Sequence, residues 1–224
     1  MAHTKETIIK EIKDALKTPA TLYQQAFTKR AGHNQCYSEI AATELLSLYK
    51  SGEYKIPKIE RTEGYYIDTH ADLAKEKPPK DTNQKEKWAA RAMFGRVFED
   101  VGKIIDFETP LYTSGTSAGA IDLLAYDSKR NVLTILEYKR KENDEPLIRC
   151  VLEAFTYREQ VEQNKKAFIE DFQALLPELS MKTKIEAAVF VHKDSKPDKH
   201  YRQAEDTQIR KLMIALNVGF STVE

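Results

Sequence analysis

The chain has 224 residues, and its 35 basic and 35 acidic side chains cancel to no formal net charge. That balance excludes a uniformly basic surface as the means of holding a polyanion, so any nucleic-acid contact must come from local segregation of charge. Cys36 and Cys150 show no paired metal-ligand spacing. No apolar stretch approaches the ~20 residues of a membrane span, and the opening Met-Ala-His-Thr-Lys-Glu lacks a signal peptide's apolar region. A cytoplasmic protein with no membrane partner is the expectation.

Residues 4–17 predict an amphipathic helix, with Ile8, Ile9, Ile12, Ala15 and Leu16 on one side and Pro19 closing it. Leu22–Phe27 reads as a second short helix. Ser38 is placed to cap a helix through Tyr49, ended by Gly52. Gly64-Tyr-Tyr-Ile67 has strand character. Lys75–Lys87, with Pro78-Pro79, is the best linker. The expected division is therefore a mainly helical N-terminal extension over 1–80 and a second domain over 81–224.

Trp88–Ile105 predicts a helix, because Met93, Phe94, Val97, Val101, Ile104 and Ile105 share one arc at 100° per residue. Glu99 lies opposite that arc, on a strip with Ala92, Gly95 and Gly102. Glycine inside a helix costs about 1 kcal/mol against alanine. Such glycines make sense where a backbone or ligand approaches closely, which makes Glu99 a candidate site residue. Phe107–Tyr112 follows as the first core strand, with Pro110 marking an edge or bulge, and Thr113–Ser117 as a loop.

Two strings then carry the chemistry: GAIDLLAYD at 119–127 and LTILEYKR at 133–140. Each is an apolar β-type run with an acid set into it. On a strand, residues i and i+2 share a face, so Lys139 stands beside Glu137. Asp127-Ser-Lys-Arg-Asn131 is a polar turn of hairpin length. If residues 128–131 form the loop, Asp127 pairs with Val132 and Asp122 falls opposite Glu137, with Cβ atoms roughly 4.5–5.5 Å apart. A loop one residue longer or shorter would turn the two acids to opposite faces. Two carboxylates forced together in a half-buried sheet repel and are costly to desolvate. A divalent cation resolves both problems, and an all-oxygen site suits Mg²⁺. A lysine beside it can hold a metal-bound water. The ingredients point to metal-assisted phosphodiester hydrolysis; the plainer alternative is a salt-bridge set on a sheet's wet face.

Glu145 and Pro146 open a helix to about Gln163. Its polar strip of Arg149, Glu153, Tyr157 and Gln160 is placed to meet substrate, Arg149 through phosphate and Tyr157 through a bound water. Phe168–Leu176 predicts another helix. Ile185–His192 predicts a central strand covered on both faces, with His192 a strand-terminal polar residue. Gln203–Asn217 gives a last helix and Val218–Val223 an edge strand. This order describes an α/β fold, a three-layer α/β/α sandwich around a mixed central sheet. No phosphate-cradling G-x-x-x-x-G-K-[ST] or G-x-G-x-x-G is present. His33 and Cys36 lack the partners of a thiol protease, and Ser114 and Ser117 lack a nucleophile elbow.

Asp122 followed by Glu137-Tyr138-Lys139 on the next strand resembles the signature of the PD-(D/E)xK nuclease superfamily, with Ile121 where that family has proline. Gly95-x-x-x-Glu99 is similar to the acidic motif that precedes the family's first core strand. Glu153-Ala-Phe-Thr-Tyr157 resembles the Q-x-x-x-Y element of the RecB-type branch, with glutamate replacing glutamine. The resemblance covers about residues 88–192. It implies a restriction-endonuclease-like core and a Mg²⁺-dependent deoxyribonuclease that leaves a 5′-phosphate, with Mn²⁺ as a substitute metal. Asp122, Glu137, the Tyr138 carbonyl and Glu99 would hold the metal, and Lys139 would position the attacking water. Arg149, Tyr157 and Gln160 would contact substrate. The implied partner is nucleic acid, DNA before RNA, with a homodimer left open. The rival expectation is a non-catalytic nucleic-acid-binding or assembly module that keeps the fold.

Overall fold

The computed structural model describes residues 4–31, 35–79, 81–113, 119–204 and 207–224. The expected loop at 113–117 lies outside these from residue 114 onward, as do His33 and the Cys36 side chain.

Among the described residues, six strands form one mixed, strongly curled sheet. They are β1 (Val97–Phe98), β2 (Gly102–Pro110), β3 (Ala120–Asp127), β4 (Val132–Lys139), β5 (Lys184–His192) and β6 (Val218–Val223), and their spatial order is their chain order. β1 to β4 pair antiparallel in succession, whereas β4–β5 and β5–β6 are parallel. Parallel neighbours require crossovers. Helices α6 (Leu147–Gln163) and α7 (Lys165–Phe172) supply the first; α8 (Lys196–Gln203) and α9 (Gln208–Ala215) supply the second. Every residue of β4 is buried, as a strand in the middle of a covered sheet should be.

The two faces are covered unequally. On one, Leu124, Leu133, Ile135 and Val189 belong to a core with Phe155 of α6 and Phe168 of α7. Ile8 and Ile12 of α1 (Lys5–Ala15), Leu22, Phe27 of α2 (Ala26–Ala31) and Leu45 of α3 (Gln35–Ser51) join that same core. On the other face, Phe107, Leu123, Leu136 and Phe190 are covered by Ala90 and Met93, with Leu73 and Phe98 packed alongside. These come from two short helices, α4 (His70–Leu73) and α5 (Lys85–Arg91), and from the chain leading through β1.

Several sequence expectations need correction. The helix over 88–105 ends at Arg91, and its second half is turn and strand. Gly95 has φ 79° and Gly102 has φ 92°, left-handed conformations that a helix interior excludes. A Cβ on Gly102 would overlap the Tyr126 carbonyl, so this glycine serves a tight turn rather than a helix face. Of the supposed arc, Met93, Val101, Ile104 and Ile105 are buried, but on turn and strand, whereas Phe94 is half-buried and Val97 is exposed. The helix expected over Gln203–Asn217 is shorter and is preceded by α8. The side chain of Ser195 caps α8 by accepting the Asp198 N–H, and a proline sits in its first turn. No strand forms at Gly64–Ile67; the Tyr65 and Tyr66 N–H groups donate to the Asp171 carboxylate instead. The β3–β4 hairpin has the expected register, running from Asp127↔Val132 to Leu123↔Leu136. Its turn is closed by the Lys129 and Arg130 N–H groups on the Asp127 carboxylate.

Candidate acidic site at the end of the hairpin

β4 ends in Glu137-Tyr138-Lys139, and strand alternation gives the first and last of these one face. Lys139 Nζ lies 2.6 Å from Glu137 Oε1 and 3.7 Å from Asp122 Oδ2. The hairpin positions Asp122: one residue beyond the last ladder pair, its Oδ2 accepts the Tyr138 N–H at 3.0 Å. The convergence expected from the sequence is therefore present.

Two further acids complete it. Glu86 Oε1 lies 2.9 Å and Glu145 Oε2 3.2 Å from Lys139 Nζ, so four carboxylates surround one ammonium at 2.6–3.7 Å. Glu86 is delivered by α5, which is pinned to β2 by ion pairs of Lys87 and Arg91 with Glu108, both at 2.8 Å. Asn143 clamps the assembly. Its Nδ2 donates to Glu86 Oε2 at 2.7 Å, and its Oδ1 accepts the Glu145 N–H at 2.7 Å. Arg149 Nε lies 3.2 Å from the other oxygen of Glu145. Glu153, one turn along α6, brings an oxygen within 4.8 Å of oxygens of Glu137 and Glu145.

Burial sets the electrostatics. Glu137 is 1% exposed, and among the described residues neither of its oxygens accepts an aligned hydrogen bond, the close Lys139 contact notwithstanding. Leaving a buried carboxylate without aligned donors is costly. Burial, with Asp122 and Glu153 as like charges, pushes the Glu137 carboxyl well above its usual range. Burial also pushes Asp122 up to about 7, against the attraction of Lys139. For Lys139 the balance reverses. Burial opposes its charge, but Glu137, Asp122 and Glu153 hold the ammonium well above its ordinary value. The site thus keeps its lysine charged while its two central acids favour a proton or a second cation.

A cavity of about 440 Å³ opens over Asp122, lined by Glu86, Glu108, Gly119, Glu153 and Tyr157. Asp122 keeps 29% of its side chain open there, whereas Glu137 is sealed. Oxygen-only ligands of this kind suit a hard cation.

The other expected site residues scatter. Glu99 is exposed in the β1–β2 turn. Its neighbour Asp100 accepts from Arg130 and Ser221, which places this turn beside the Asp127 end of β3. Five strand residues, roughly 16 Å, separate that end from Asp122. Glu99 is therefore not brought to the cluster, and the helix-borne acid found there is Glu86. Gln160 is also spent elsewhere: Nε2 donates to the Pro57 carbonyl at 2.7 Å and Oε1 accepts the Ile59 N–H at 3.1 Å, which withdraws it from substrate. Arg149 adjoins the cluster through Glu145. Tyr157 is buried, and its hydroxyl donates to Glu153 Oε1 at 2.9 Å. Tyr138 offers main chain to the site, while its hydroxyl contacts His192 Nε2 at 2.9 Å. The sequence carried no local signal for Glu86, whose contact with Lys139 spans 53 residues.

Comparison of the chain with protein-family models, with curated proteins and with solved structures finds no match. Among the described residues, no helix is long and apolar enough to cross a membrane.

Proposed function

We propose that the chain is a metal-dependent nuclease of the PD-(D/E)xK type, hydrolysing phosphodiester bonds in DNA. One observation carries this reading: Glu137 is a sealed carboxylate without an aligned donor among the described residues, beside a solvent-reached Asp122 and 2.6 Å from a buried ammonium. Asp122 and Glu137 would hold Mg²⁺ or Mn²⁺, with the Tyr138 carbonyl as a further ligand. When bound, the ion supplies Lewis acidity and a water that ionises near neutral pH. Lys139, held in place by Glu86 and Glu145, would orient an attacking water and meet charge developing on the phosphate. The three-layer layering of a restriction-endonuclease-like core and a cytoplasmic location belong to the same reading.

Calorimetric titration with Mn²⁺ tests the reading. The wild-type chain is expected to bind, and Glu137→Gln, which keeps shape and removes charge, is expected to lose binding. Cleavage of linear, nicked, branched and single-stranded DNA, and of RNA, should then appear only with metal.

A second reading, a non-catalytic nucleic-acid-binding or assembly module, is favoured by the four carboxylates already gathered on Lys139. It requires that the wild-type chain bind no Mn²⁺ and cut none of these substrates, the outcome that would end the nuclease reading.

A further inference from the structure

Behind Glu153 the acidic site continues into the N-terminal segment. A 3-10 turn at Pro19–Gln24 brings Tyr23 against Tyr157, with ring centroids 5.7 Å apart, edge to face, and hydroxyl oxygens 3.2 Å apart. Gln24 Nε2 donates to the Tyr23 hydroxyl oxygen at 2.9 Å, and the Tyr157 hydroxyl donates to Glu153 Oε1 at 2.9 Å. A phenol has one hydrogen to give. Tyr157 gives its hydrogen to Glu153, so its oxygen accepts from Tyr23. Tyr23 in turn accepts from Gln24. All three donors point one way, from the surface toward the carboxylates.

Gly119, three residues before Asp122, supports this arrangement independently. A Cβ there would overlap the Tyr157 hydroxyl and stand 3.2 Å from that of Tyr23. The chain entering β3 thus runs directly against the two hydroxyls, and only glycine permits that approach. Burial pushes both phenols above their ordinary values, so they remain donors at neutral pH.

We propose that Tyr23 is a positioning residue of the acidic site: acting through Tyr157, it holds the Glu153 carboxylate against Glu137 and Glu145. This rests on the cation-binding reading above only for its consequence, a tighter hold on a divalent ion. Oε2 of Glu137, buried and without a partner among the described residues while Oε1 meets Lys139, is what marks this trio as facing a ligand.

Tyr23→Phe keeps the ring contact and deletes one hydrogen. The Tyr157 oxygen then loses its donor, and its bond to Glu153 loses the polarisation that a chain of hydrogen bonds confers. With the full chain carrying ¹³C at glutamate Cδ, Tyr23→Phe is expected to move the Glu153 carboxyl resonance and leave that of the exposed Glu178 in place. Mn²⁺ affinity should fall about three- to tenfold, the scale of one neutral hydrogen bond. Gln24→Ala, at an exposed residue, should move the same resonance less and in the same direction, which keeps the test alive if Tyr23→Phe does not fold. A purely structural role would lower the unfolding midpoint without shifting the resonance. A Glu153 signal unmoved in both variants overturns the assignment. No Mn²⁺ binding by the wild-type chain, with the resonance still moved by Tyr23→Phe, would sink the cation site and uphold the tyrosine relay.

Discussion

At the scale of single residues, Asp122 gives the molecule a pH signature. Burial pushes its carboxyl up to about 7 in the folded chain, from 3.8 for the free group. With the folded value raised, the native state keeps a proton that the unfolded chain has released. The associated stability is full below about pH 4 and is lost as pH climbs toward 7. Glu137 shifts in the same direction. Lys139, held above its ordinary value, stays charged across that window and adds no slope. In metal-free buffer the unfolding midpoint is therefore expected to drop between about pH 4 and 7. Asp122→Asn should remove much of the drop, and saturating Mn²⁺ should suppress it by binding the native state. A wild-type midpoint flat over that range would contradict the buried-acid account. Asp122, Glu137 and Lys139 were legible in the sequence because strand period and turn length are local rules. Glu86 and Asn143 were not, because nothing local links α5 to the end of β4.

At the scale of elements, the hairpin and the segment before it show why one reading held and the other did not. A polar turn between two alternating apolar runs admits one register, and the structure has it. The stretch from Trp88 to Ile105 offered apolar residues at helical spacing, yet two strands and two turns bury Met93, Val101 and Ile104 as readily and leave Val97 exposed. Gly95 and Gly102 were the contrary signal, since both adopt positive φ. They differ in one respect that can be measured. A Cβ at Gly95 meets open space, whereas at Gly102 it meets main-chain atoms of Tyr126 and Asp127. Gly95→Ala should cost only the left-handed conformation, about 1–2 kcal/mol. Gly102→Ala adds an overlap with backbone that cannot swing aside, and a loss of about 3 kcal/mol or more in urea unfolding is expected. Equal losses at the two positions would mean that the β1–β2 turn can shift to make room.

At the scale of the whole molecule, the helical segment before residue 80 and the sheet are bound into one apolar core. Ile12, Leu22 and Leu45 are fully buried in the cluster that contains Phe155, Phe168 and Leu212. Tyr54 packs on Phe155 with centroids 5.4 Å apart, and Tyr65 on Phe168 at 4.9 Å. Polar contacts follow the same path, because Gln160, Gln163 and Asn164 all donate to main-chain carbonyls between residues 56 and 59. The Pro-rich stretch at 78–79 looks like a linker, but sequence composition does not report what packs on either side of it. A fragment of residues 81–224 would expose the apolar face of α6 and hand those three amides to water, at about 0.5–1.5 kcal/mol for each hydrogen bond lost in addition to the lost apolar burial. Such losses rival the 5–15 kcal/mol that usually holds a domain together. The fragment is expected to show no cooperative thermal transition, and its α6 amides should exchange with solvent far faster than in the full chain. Cooperative unfolding of 81–224 with protected α6 amides would show instead that the sheet and its crossover helices suffice, and that the N-terminal helices are an addition to a self-standing core.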